Sequence, residues 1–118
     1  MILADTSVWI SHLHRTREDL VEHLMQGTVL SHACVIGEVA CGRMRDRETV
    51  LAALRTLPAA ALASHEEAMS LLERHRLHGR GLGWMDVHLL ASALLSGARL
   101  LTDDRALQTA ARDLGVAA

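Results

Sequence analysis

Lysine is missing altogether: all twelve basic residues of the 118 are arginine. Any mechanism that needs a catalytic or phosphate-gripping lysine is therefore excluded. Phenylalanine and tyrosine are also absent, leaving Trp9 and Trp84 as the only aromatics. An extended base-stacking surface of the kind used by single-strand binders is thereby ruled out. Cysteine is limited to Cys34 and Cys41. On one helix these would lie about 10 Å apart, beyond the roughly 7 Å Cα limit for a disulfide, and their spacing fits no zinc pattern; they are expected to be small buried apolar residues. Long hydrophobic runs are lacking too. Leu57 to Ala63 and Val87 to Leu95 fall far short of the roughly 18 residues of a membrane span. No basic stretch followed by an apolar one opens the chain, so no secretory signal is expected. A net charge of −2 gives no global basic field to attract nucleic acid. The expectation is a soluble, cytoplasmic protein without membrane contact.

What is present is half apolar and 22% charged, the balance of an ordered globular chain. At this length it is expected to be a single domain over residues 1–118. Short apolar runs alternate with longer stretches of helical period, which predicts βαβ units and a parallel sheet. Strands are expected at Ile2–Ala4, Thr28–Ser31, Ala60–Leu62 (a weak one, since alanine is a poor strand former) and Arg99–Leu101. Helices are expected from about Val8, over Arg17–Gln26, Val35–Gly42, Arg45–Leu57, His65–Leu77, from Asp86 to Gly97, and over Asp104–Leu114. Ser64 with Glu67 fits a capping box, and Pro58 and Gly97 fit helix stops.

Four acids stand beside the ends of the apolar runs: Asp5, Glu38, Asp86 and Asp104. Each alone reads as a helix cap complementing the macrodipole, although Asp5 directly follows a buried-looking strand. Together they fall at one end of successive elements, and in a parallel α/β sheet the carboxyl ends of the strands converge on one ligand-binding crevice. Carboxylates gathered there repel one another unless a divalent cation neutralises them. Oxygen ligands without organised Cys or His suit Mg²⁺ or Mn²⁺. Phosphodiester hydrolysis is the reaction class that follows.

These residues resemble a known family. Ile2-Leu3-Ala4-Asp5-Thr6-Ser7 is similar to the opening of PIN-domain nucleases, and Ile36-Gly37-Glu38-Val39 to their second acidic motif. Trp84-Met85-Asp86-Val87 resembles the third and Leu101-Thr102-Asp103-Asp104 the fourth. The order and length resemble the VapC toxins of bacterial toxin–antitoxin pairs. The resemblance implies a PIN-like α/β domain with a central parallel sheet of four to five strands flanked by helices. It also implies a Mg²⁺- or Mn²⁺-dependent endoribonuclease, neutralised by a cognate VapB antitoxin and commonly a homodimer. Asp5 and Asp86 would be the direct metal ligands, and Glu38 and Asp104 would complete the catalytic acids. Thr6, Ser7 and Thr102 would hydrogen-bond these carboxylates. The family spacing favours Asp104 over Asp103, which is expected to face solvent.

Arg74, Arg76 and Arg80 concentrate positive charge before the third motif, as the solvated face of a helix or as a phosphate-binding edge for RNA. Arg43, Arg45 and Arg47 form a second basic group, facing RNA or an antitoxin, and the apolar surface of the first helices offers room for a partner helix. Trp84 either packs in the core or stacks on a base. His75 and His78 are expected at the surface, not on zinc. A receiver-type phosphoryl acceptor is disfavoured by the missing lysine, and an Asp-x-Asp phosphatase by Ser7. The alternative from another class is a non-catalytic RNA- or partner-binding module.

Overall fold

Ile2, Leu3 and Ala4 are all buried because they form the middle strand. In the computed structural model, which describes residues 1–118, β1 (Ile2–Ala4) lies between β2 (Val29–Leu30) and β3 (Arg99–Leu101). Both pairings are parallel, with Ile2 opposite Val29 on one side and Arg99 on the other. A strand paired on both edges and covered on both faces reads as an unbroken apolar run, which is how Ile2-Leu3-Ala4 stands out in the sequence.

Seven helices surround the sheet: α1 (Thr6–His14), α2 (Glu18–Met25), α3 (Ala33–Cys41), α4 (Arg47–Thr56), α5 (His65–Arg74), α6 (Trp84–Ser96) and α7 (Arg105–Asp113). The α/β architecture agrees with expectation, but the sheet has three strands, not four to five. The expected strand at Ala60–Leu62 is absent; beside it lies only an isolated bridge between Ser31 and Ala59. A second bridge joins Leu100 to Ala117 at the opposite edge. Alanine offers little side chain to pack on a pleated surface, so both segments touch a sheet edge and leave it.

The helix starts follow their caps. Ser64 and Glu67 make the reciprocal box, at 3.0 Å and 2.8 Å, that begins α5. Asp5, His32 and Asp104 each accept a backbone N–H at the start of α1, α3 and α7. At the far end of α6, Gly97 adopts φ 62°, a left-handed conformation that costs glycine little. It lets the chain turn straight into β3. The helices pack α1 on α3, α3 on α4 and α5 on α6, while α6 and α7 contact β3. Leu3, Val8, Leu20, Leu54, Leu90, Leu100 and Leu107 lie in the common core.

One expectation about side chains fails, and of the two alternatives for Trp84 one is removed. Cys34 and Cys41 are unpaired as expected, yet both are exposed on α3, not buried; the buried face of that helix is taken by Val35 and Val39. Trp84 is 42% exposed, so it does not pack in the core. It lies against His65 and edge-on to His88, with ring centroids 5.3 Å and 4.8 Å away. No helix is long and apolar enough to cross a membrane.

Candidate active site

Asp5 follows the central strand, and its N–H still pairs with Leu101 O across the sheet at 3.0 Å. That pairing carries its side chain to the carboxyl end of the sheet. There Oδ1 accepts the Val8 N–H at 3.0 Å and the Ser7 hydroxyl at 2.6 Å, while Oδ2 accepts the Thr102 hydroxyl. A carboxylate offers about four lone-pair positions. Three are occupied, and the remaining one on Oδ2 is available to a cation.

Thr102 leaves β3 beside Asp5, and its hydroxyl oxygen also accepts the Asp104 N–H at 3.0 Å. One side chain thus joins the first acidic motif to the fourth. Asp104 uses Oδ2 to cap α7 through the Leu107 N–H at 3.1 Å. Glu38, on α3 beyond β2, accepts the Thr6 hydroxyl on Oε1 at 2.9 Å. Asp86 arrives from the opposite direction. Because α6 feeds β3, its first turn lies at the carboxyl end of the sheet, where Asp86 Oδ2 accepts the Gly83 N–H at 2.8 Å. Glu38 Oε2, Asp86 Oδ1 and Asp104 Oδ1 make no hydrogen bond within the protein.

The electrostatics tie the four acids together. The Asp86 carboxyl is raised above its ordinary value, first by burial and then by the charges of Asp104, Asp5 and Glu38, with the Gly83 N–H pulling the other way. A group of like charges on separate elements is what a bound cation would relieve. No three of these side chains stand close enough to enclose an ion by themselves. The donor set nevertheless fits Mg²⁺ or Mn²⁺: Mg²⁺ keeps several waters and takes one or two carboxylates, Glu38, Asp86 and Asp104 are each held by one oxygen with the other unbonded, and Asp5, held by both, keeps one lone-pair position on Oδ2. Asp5, held by three hydrogen bonds, and the half-buried Asp86, with its Oδ1 unbonded, are the residues that would hold it.

The family profile described as "PIN domain" matches residues 2–113. This chain is a PIN domain. It is also similar to a curated protein named Ribonuclease VapC32 from Mycobacterium tuberculosis, in strains CDC 1551 / Oshkosh and ATCC 25618 / H37Rv. In both the identity is 46% over 118 residues, covering 99% of this chain and 95% of the relative. The chain therefore belongs to the VapC group of PIN-domain proteins.

Within this PIN domain, Asp103 and Asp104 face different partners. Arg17 reaches Asp19 at 2.8 Å and Asp103 at 2.5 Å, so Asp103 is held in a surface ion network while Asp104 caps the helix. The three arginines before the third motif have different surroundings. Arg80 pairs with Asp113 at 2.7 Å. Arg74 lines a groove between α5 and α6 with Glu66, Glu67 and Leu95. Arg76 lies just past α5 at φ 50°. Sequence reading did not single out Arg17, or His32 and Ser92, which hydrogen-bond each other in the interior. Their partners lie 60 to 86 positions away, and no local motif marks them.

Proposed function

We propose that this PIN domain is a toxin-type endoribonuclease that hydrolyses RNA phosphodiester bonds with Mg²⁺ or Mn²⁺. The observation that carries the reading is the gathering of four carboxylates at one end of the sheet, tied by the Thr102 hydroxyl between Asp5 and Asp104 and the Thr6 hydroxyl on Glu38, where the Asp86 carboxyl, raised first by burial, also feels the charges of Asp104, Asp5 and Glu38. Asp5 and Asp86 would hold the cation, which would supply charge neutralisation and Lewis-acid polarisation of the phosphodiester. Ser7 and Thr102 keep Asp5 in one orientation, and Thr6 does the same for Glu38. The attacking water gives its proton to a carboxylate oxygen free of other bonds, Glu38 Oε2 or Asp104 Oδ1, its oxygen bonds to phosphorus, and the bond to the leaving oxygen breaks, that oxygen taking a proton from solvent. Arg76 and Arg80 contact the RNA backbone. The Arg80–Asp113 pair, 31% and 57% exposed, is a surface bridge that a phosphate can replace.

The purified protein should cut RNA when given Mg²⁺ or Mn²⁺ and stop on chelation. Asp5→Asn should remove the activity while the chain still melts cooperatively as a folded domain. Undiminished cleavage by that variant would falsify the four-acid site.

Two protein partners follow from the same reading. A VapB-type antitoxin docks in the groove of about 710 Å³ bounded by Ile10, Leu13, Val39 and Met44, with Arg43 and Arg45 at its edge. Its chemistry selects an amphipathic segment with acidic flanks. A second copy of the chain covers the α5–α6 face, where Leu94 and Leu95 are 41% and 50% exposed. Glu66 and Glu67 begin α5 and Arg74 ends it, so a two-fold that sets α5 antiparallel to its partner joins opposite charges. Light scattering on a sizing column reads both surfaces. Leu95→Glu should yield monomers, whereas Ile10→Glu should stay dimeric and no longer hold the antitoxin; the reverse pattern would exchange the two assignments.

A further inference from the structure

The buried polar residues are Asp5, Ser31, His32, Ser92 and Thr102. Asp5 and Thr102 bond each other at the acid site. His32 and Ser92 bond each other away from it, Nε2 to Oγ at 3.0 Å, with 1% and 0% of their surface exposed. Burying an imidazole and a hydroxyl is costly unless they satisfy each other, and an apolar pair would fill the same space without that requirement.

The bond has a defined direction. His32 caps α3, and its Nδ1 accepts the Cys34 N–H at 3.1 Å. A nitrogen that accepts carries no proton, so the neutral ring bears its proton on Nε2 and donates it to Ser92. Burial, and secondarily the charge of His88, hold His32 below its ordinary value and so in this neutral form.

His32 begins the helix that carries Glu38, and Ser92 lies on the helix that carries Asp86. Each is six residues from its acid, about 9 Å along the helix axis. The two helices are pinned at one point by this bond and bring their acids into one field at another.

We propose that the His32–Ser92 hydrogen bond is a positioning pair that fixes α3 against α6 and thereby sets the separation of Glu38 and Asp86 at the cation site. This rests on the four-acid reading above. Removing a partner of a metal ligand typically costs 10- to 100-fold in affinity or activity; acting through a helix, this bond should carry a smaller effect, about three- to tenfold.

The test is Ser92→Ala, which deletes a small buried hydroxyl and leaves the α3 cap intact, alongside His32→Asn, which keeps a capping acceptor too short to reach Ser92. Mn²⁺ binding is measured by calorimetry without RNA, and cleavage is resolved into kcat and KM. Both variants should bind Mn²⁺ about three- to tenfold more weakly and lose kcat to a similar extent, with KM for RNA unchanged. The double variant should lose no more than either single one, as expected of one shared bond. Ser92→Ala that melts earlier but binds Mn²⁺ and turns over like the parent overturns the proposal, leaving the bond a matter of packing. A parent protein that binds no Mn²⁺, or an Asp5→Asn variant that still cleaves, overturns the four-acid reading itself, and the proposal with it.

Discussion

Replacing Thr102 by valine keeps the shape of a buried side chain and deletes the one hydroxyl that links the first acidic motif to the fourth. Thr102 donates to Asp5 Oδ2 and accepts the Asp104 N–H. In the variant, Asp5 Oδ2 has no hydrogen bond left, on a residue only 6% exposed. A hydrogen bond to a charged group contributes about 1.5–3 kcal/mol, and an unsatisfied buried one costs a similar amount. The Asp104 N–H is only part-buried and can turn to water, so the Asp5 bond dominates and the loss should be about 2 kcal/mol. At roughly 4 °C per kcal/mol for a chain of this length, Tm should fall by about 8 °C. Asp5 would also lose the contact that orients Oδ2, the oxygen with a lone pair to spare, so Mn²⁺ affinity should drop about 10- to 100-fold. Calorimetric melting in chelator gives the first quantity and Mn²⁺ titration the second, and Thr102→Ser should restore both. A valine variant that melts early yet binds Mn²⁺ normally would refute the orienting role. One that melts normally would show that the Asp5 bond contributes little.

Asp86 has a raised carboxyl, so the folded chain holds that proton more tightly than the unfolded one. Its contribution therefore destabilises the metal-free fold progressively as pH rises from the ordinary carboxylate range through the raised value, and fully above it. Asp86→Asn should melt higher than the parent in chelator at neutral pH and match it in strong acid, while failing to cleave RNA; equal melting at neutral pH would contradict the shared field. The pairing of Asp103 with Arg17 separates the adjacent aspartates functionally. Asp103→Asn should keep cleavage and lose no more than about 1 kcal/mol, as a surface pair does, whereas Asp104→Asn should lose most cleavage. The opposite ranking would move the fourth acid to Asp103.

How much was legible in the sequence depended on the range of each interaction. Ile2-Leu3-Ala4 announced the central strand because burial on both faces leaves no polar alternation. Ser64 and Glu67 announced α5 because a capping box is complete within four residues. The four acids were legible because each stands one to a few residues from the end of an apolar run. The Ala60–Leu62 strand misled because apolar content without branched or aromatic side chains does not make a ladder. The cysteines misled because residue type predicts burial only on average, and on α3 Val35 and Val39 take the inner face. Trp84 is held outside by its place in the first turn of α6, over His65 and His88. The Arg17–Asp103 and His32–Ser92 contacts span 86 and 60 positions, and nothing in either neighbourhood encodes them.

The ambiguity between helix cap and metal ligand, which the sequence poses for each aspartate, dissolves once the two oxygens of each carboxylate are considered separately. Asp5 caps α1, Asp86 bonds the Gly83 N–H at the start of α6, and Asp104 caps α7. Capping uses one oxygen, or in Asp5 leaves a lone pair over, and fixes the side chain in the orientation that presents the remainder. The backbone N–H groups at a helix start are partial positive charges, so they offset part of the repulsion that gathering these acids creates. That offset is incomplete at Asp86, whose carboxyl stays raised, first by burial and then by its acidic neighbours, despite its N–H partner. A bound cation would remove the residual repulsion. Capping is thus the means by which a small sheet of short strands holds several like charges at one end without a lysine to balance them.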